Sequence, residues 1–193
     1  MDILNIFSAF GLSASAGLNA YIPLLIVALL AKFTSLIHLS QPWDALTSWW
    51  VIGVLVVLSC IEFFADKVPV ANHVNDIVQT IIRPAAGAIL FAANAQSITN
   101  VHPALSLALG LLVSGGVHTV KAVAVRPAVT ATTGGVGNVP ISMLEDFIST
   151  VTSLIAVIVP VIIVIVLILL CAWLLWRALH PKRSYASSPS RRP

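Results

Sequence analysis

Long apolar runs dominate the chain, and its polar residues fall between them or at their ends. The first run extends from about Ile3 to Phe33, in two pieces interrupted near Pro23. Before that proline, residues 11–20 read GLSASAGLNA, nearly all small. Gly11/Ser15 and Ser13/Gly17 stand at the four-residue spacing that lets membrane helices approach closely, which predicts a packing seam. Asn19 and Tyr21 beside the proline are candidates to face a ligand instead. A polar connector, HLSQPWD, leads to a second run from about Ala45 to Phe64, with Trp43, Trp49 and Trp50 where a membrane interface belongs. It ends in IEFFADKVP, which places Glu62 and Asp66 on one helix face.

A third segment restarts at Pro69. His73, Asp76, Thr80 and Arg83 form a polar stripe opposite Val74, Ile77, Val78 and Ile81. The apolar part beyond Pro84 is shorter than the roughly 20 residues of a span, so the striped turns belong to that span or to the interface. A fourth run, about Ala104 to Val125, carries Ser114, Gly115, Gly116, His118 and Lys121. The last helix starts near Pro140, polar at first, and runs apolar to about Leu179, with Trp173 and Trp176 at its far end.

Between the fourth and last runs lies RPAVTATTGGVGNVPISMLED, residues 126–146. Two prolines and three glycines in it argue against an uninterrupted helix, because Gly costs about 1 and Pro about 3 kcal/mol in a helix interior. Broken backbone at membrane depth is tolerated where protein or a water-filled cavity satisfies it, so a site is expected here, with residues 130–138 buried near Gly17 and Asn19. Its glycines Gly134 and Gly135 are expected at positive φ or at a close helix approach. Thr132 and Thr133 offer hydroxyls, and Asn138 caps the next helix or faces the ligand. The stretch lacks the GK[ST] of a phosphate-binding loop.

Of 193 residues, 59% are hydrophobic and 9% charged, against about 25% charge in a soluble domain. The chain therefore reads as an all-α polytopic transmembrane bundle with interrupted helices, of five spans, or six if 128–148 forms a re-entrant pair. Residues 1–179 form the membrane domain. Residues 180–193 form a basic, disordered tail, which the positive-inside rule places in the cytoplasm. MDILNIF lacks the basic start of a signal peptide, so the first helix is expected to remain. Cys60 and Cys171 both fall in apolar runs and read as packing residues.

Nearly all remaining charge lies in two windows, Glu62, Asp66, Lys67, Asp76 and Arg83, then Lys121, Arg126, Glu145 and Asp146. They can pair to pin two hairpins together, or line a polar cavity. Asp76 and Arg83 are expected to find partners among Lys121, Arg126, Glu145 and Asp146. His73, Asp76, His118, Glu62 and Asp66 offer metal ligands without any fixed ligand spacing, and no hydrolase motif or cofactor signature appears. Residues 45–69 resemble 104–127, each an apolar span closing on charge and proline, and Ser13–Gly17 with Pro23 parallels Thr130–Gly134 with Pro140. An internal hairpin repeat of the kind transporters use is therefore possible.

Taken together, GLSASAGLNAYIPLL, ADKVP with its following Asn-Asp, RPAAGA, and ATTGGVGN before SMLED resemble a bacterial membrane-protein family catalogued as domain of unknown function 4126. The resemblance covers about residues 8 to 165. It departs at Asn138-Val139-Pro140, where the family order is Asn-Pro-Val. It implies a membrane fold and no known activity. The leading expectation is a small transporter or channel in the inner membrane, homo-oligomeric through its Gly/Ala/Ser faces, passing a small ion or polar ligand. A slight preference goes to an anionic or zwitterionic one, since N–H groups at the last helix's start reinforce Lys121 and Arg126. The rival is a membrane scaffold with structural ion pairs, and the third is a metal-dependent membrane enzyme. A nucleic-acid partner is not expected.

Overall fold

The structure is a computed structural model that describes residues 2–65, 69–95 and 102–158, without the side chains of residues 2–4, 69–74 and 76. The basic tail, the apolar run beyond Ile158, Cys171, Lys67 and Asp66 lie outside the described residues, as do the His73 and Asp76 side chains. The described residues are helical, with no strand among them. In order come α1 (Asp2–Leu18), α2 (Tyr21–Phe33), a 3-10 turn (Trp43–Thr47), α3 (Trp49–Ala65), α4 (Pro69–Ala95), α5 (Pro103–Val120), a π turn (Lys121–Val125), α6 (Arg126–Thr133) and α7 (Asn138–Ile158).

The first run does divide in two, but at Asn19 and Ala20 rather than at the proline. Pro23 sits in the first turn of α2, where a missing N–H leaves no intrahelical bond unmade. The Asn19 carboxamide oxygen accepts from Tyr21 N and Ile22 N at 3.1 and 3.0 Å and so holds the start of α2. α4 continues through Pro84 for 27 residues, and the striped turns are part of it.

Helix α1 is the hub, packed against α4, α5 and α7, while α2 and α3 pack beside them. Its small residues make this possible. A Cβ on Gly17 would stand 2.6 Å from the Ser114 carbonyl oxygen, and one on Gly11 would stand 2.8 Å from the Ala156 Cβ. Gly87 of α4 and Gly110 of α5 meet in the same way. These faces, on which the expectation of a homo-oligomer rested, are thus occupied within the protomer. Hydroxyls lock the seam: Ser13 donates to the Gly87 carbonyl at 2.8 Å, and Ser15 lies 2.9 and 2.6 Å from the Ser149 and Ser153 hydroxyls.

The pattern of burial is inverted relative to a water-soluble bundle. α5 buries Ser106, Gly110, Ser114 and His118, while Leu105, Leu111, Leu112 and Val120 are exposed. α7 buries Ser142, Glu145, Ser149 and Ser153 and exposes Met143, Leu144, Phe147 and Ile155. Polar groups inside and large apolar groups outside minimise free energy only if the surroundings are hydrocarbon. Cys60 follows this rule and faces outward from α3 rather than packing in the core. Among the described residues three helices are long and apolar enough to cross a membrane: Ile77–Ala95, Pro103–Thr133 and Asn138–Ile158. Tyr21–Phe33 and Trp49–Ala65 are apolar but shorter.

The expected burial of 130–138 beside Gly17 and Asn19 is overturned, while the positive φ expected of Gly134 and Gly135 is present. Helix continues to Thr133, and Thr130, Thr132, Thr133, Gly134 and Val136 are exposed, with Gly135 and Asn138 half-buried. The threonines bond back along their own helix, Thr132 to the Ala128 carbonyl at 2.8 Å and Thr133 to that of Val129 at 2.6 Å. Pro127 comes just after the π turn, and the helix passes through it. Only the turn at Gly134 and Gly135 breaks the chain, and there φ is +63° and +92°, as glycine permits. Pro103–Thr133 runs 31 residues, about 46 Å against about 30 Å of hydrocarbon, so its polar end has length to leave the apolar zone.

Candidate functional site

Two clusters of charge lie inside the bundle. In the first, Arg83 of α4 donates to Glu62 of α3 at 2.8 Å, with both side chains at most 1% exposed. The second guanidinium nitrogen lies 3.3 Å from Nδ1 of His118 on α5, and the His118 Nε2 lies 3.2 Å from the Thr80 hydroxyl. Ser114, one turn earlier on α5, donates to the Arg83 carbonyl at 2.7 Å. Tyr21 of α2 meets the buried Gln79 and stands within electrostatic reach of Glu62 and Arg83. Arg83 therefore pairs within its own hairpin rather than with the later window.

The second cluster is centred on Glu145 of α7. The Lys121 ammonium lies 2.7 Å from its carboxylate and donates to the Leu18 carbonyl at 3.1 Å, and Arg126 lies 3.9 Å from the same carboxylate. Arg126 also reaches the Ser142 hydroxyl at 3.5 Å. Asn19 donates to Asp146 at 2.9 Å, which ties the α1–α2 break to the cluster. Both clusters border α5, His118 in the first and Lys121, three residues further on, in the second.

A local irregularity makes the second cluster. On an α-helix, residues five apart point about 140° away from each other. The Arg126 N–H bonds to the Lys121 carbonyl instead, closing an i to i+5 turn that brings Lys121 and Arg126 to the same buried face. Val123, Ala124 and Val125 between them face outward. Lys121 and Glu145 also close the end of a groove of about 560 Å³ whose remaining walls, Leu18, Val117, Val120, Ile141 and Leu144 among them, are apolar.

Of the residues the sequence nominates, Glu62, Arg83 and His118 come together, and so do Asn19, Lys121, Arg126, Glu145 and Asp146. Thr132, Thr133, Gly134, Gly135 and Asn138 do not join either cluster. Asn138 donates to the Thr130 hydroxyl at 3.0 Å, which ties the turn to itself. Tyr21, a candidate beside Asn19, lines the first cluster, and Gln79, Thr80, Ser114 and Ser142 line the clusters without having been nominated. Gln79 lies four residues before Arg83, a helical spacing that was available as a signal. No three His, Cys, Asp or Glu side chains gather to hold a metal among the described residues.

The chain is thus an all-α protein with apolar helices of membrane-crossing length and an ionised interior, compatible with an integral membrane protein. It belongs to the DUF4126 family, described as a domain of unknown function, whose model matches residues 6–180. No curated protein and no solved structure matches it.

Proposed function

We propose that this chain is an integral, multi-pass protein of a bacterial cytoplasmic membrane that passes a small ion or small polar solute through its helical bundle. One observation carries the reading. Glu62, Arg83 and His118 in one cluster, and Lys121, Arg126, Glu145 and Asp146 in another, gather charge from different helices inside a bundle that exposes many large apolar side chains. Ionisable groups at membrane depth are costly and are found where an ion or proton passes. The glycine-rich turn is not part of this path. Its lining is the α3–α4–α5 cluster, the π turn and the first turns of α7.

The rival reading is a scaffold, and a specific observation favours it. The three bases Arg83, Lys121 and Arg126 are matched by three acids, Glu62, Glu145 and Asp146, most of them in direct contact. Reconstituted proteoliposomes decide between the two. Flux of protons, potassium, sodium or chloride above protein-free vesicles, lost in a folded Glu145→Gln variant, is the expected result. Vesicles as tight to all four ions as protein-free controls would favour the scaffold.

A further inference from the structure

The geometry points to His118 as the proton-binding residue of this interior. It names the proton as the ion handled and rests on the transport reading for its use, though not for its chemistry. A guanidinium has only N–H donors and cannot accept. With Arg83 Nη1 at 3.3 Å, Nδ1 of His118 must present its lone pair, so the ring hydrogen sits on Nε2 and donates to the Thr80 hydroxyl at 3.2 Å. In this arrangement the ring is neutral and its tautomer is set by its partners. A proton that adds to the Nδ1 lone pair turns the acceptor into a donor. It then places N–H against N–H and one cation against another, and the contact to Arg83 is lost. The N–H bond forms at Nδ1 as an O–H bond of hydronium breaks, leaving water.

The charged and titratable groups around the ring come from each neighbouring element. Among the described side chains they are Arg83 of α4, Glu62 of α3 behind it, Tyr21 of α2 beside both, Lys121 on the next turn, and Glu145 of α7 on Lys121. Two contacts hold α5 to Arg83: Ser114 on its carbonyl and His118 on its guanidinium. Toward the other end the α4–α5 seam is closed by Gly87 against Gly110. Losing the His118 contact therefore loosens α4 from the α5 end next to the π turn, where Gly17 of α1 still meets Ser114 and Val117 and Lys121 is the bridge to Glu145. The closed arrangement is complete at high pH and is lost as His118 protonates on acidification. Proton binding at one cluster thereby reaches the other.

The test uses the full-length chain in lipid nanodiscs with nitrogen-15-labelled histidine, comparing wild type with His118→Asn. Asparagine keeps an acceptor oxygen toward Arg83 and does not titrate. The resonance absent from the variant should show the neutral Nε2–H tautomer at about pH 8 and become cationic as the pH falls toward about 5. Amide exchange across 114–126, corrected for intrinsic rates, should rise about tenfold over that range in wild type and stay nearly constant in His118→Asn. A Nδ1–H tautomer or a cation at the higher pH, or equal rises in both proteins, would overturn the assignment. Should His118→Asn not fold, Thr80→Val assigns the same resonance by its shift, and the wild-type tautomer decides. If the resonance and the exchange behave as stated while proteoliposomes stay proton-tight, the transport reading falls and the proton switch stands.

Discussion

Glu62 and Arg83 show what a buried pair does to the cost of a single substitution. Both are sealed from solvent, so Glu62→Gln leaves a guanidinium buried without its counter-charge. Removing one partner of a buried pair typically costs about 3–5 kcal/mol, whereas removing both costs much less. Glu62→Gln should lower the midpoint of thermal unfolding in detergent sharply, and Glu62→Gln with Arg83→Gln should recover part of the loss. A Glu62→Gln protein that melts like wild type would show the pair to be open to water. At this scale the sequence offered the residue types but not the partners. Arg83 was expected to reach across to the second window, and Glu62 takes it because α3 and α4 form a hairpin whose facing positions the chain alone does not number.

Glycine serves opposite purposes on different helix faces, so its consequences belong to the elements. At Gly87 an added Cβ would overlap Ser114 and lie 2.9 Å from the Gly110 carbonyl oxygen, so Gly87→Ala must separate α4 from α5. At Gly116, on the outer side of α5, a Cβ meets nothing within 4 Å. There alanine should stabilise by about 1 kcal/mol through helix propensity alone. Opposite shifts in unfolding midpoint are expected, down for Gly87→Ala and up for Gly116→Ala. Equal shifts would remove the close seam from the account. The small-residue face of α1 was legible because its four-residue spacing is a helical period. The π turn was not, because a five-residue separation between Lys121 and Arg126 reads on an α-helix as two different faces. It was the run from Arg126 to Thr133 that misled: propensity argues for a break, but the helix passes through Pro127 just after the π turn and the threonines bond back to their own helix.

For the whole molecule, orientation is the open consequence of charge. Half of the ten basic residues, Arg177, Lys182, Arg183, Arg191 and Arg192, lie near the C-terminus. We expect that end in the cytoplasm by the positive-inside rule, and an odd number of spans then puts the N-terminus outside. A fluorescent reporter fused after Pro193 should be active and a periplasm-dependent enzyme fused there inactive. The reverse would invert the bundle.

The apolar runs, the all-α class, the two-piece first helix and the two charge windows were set by the chain itself, since composition and helical period act locally and need no partner to be read. The pairing within each cluster, the exposure of the glycine turn and the contact of His118 with Arg83 were decided only in three dimensions. Each depends on which helix faces meet, and in hydrocarbon those faces are chosen by close packing and polar pairing rather than by the apolar stripe that marks a core in water.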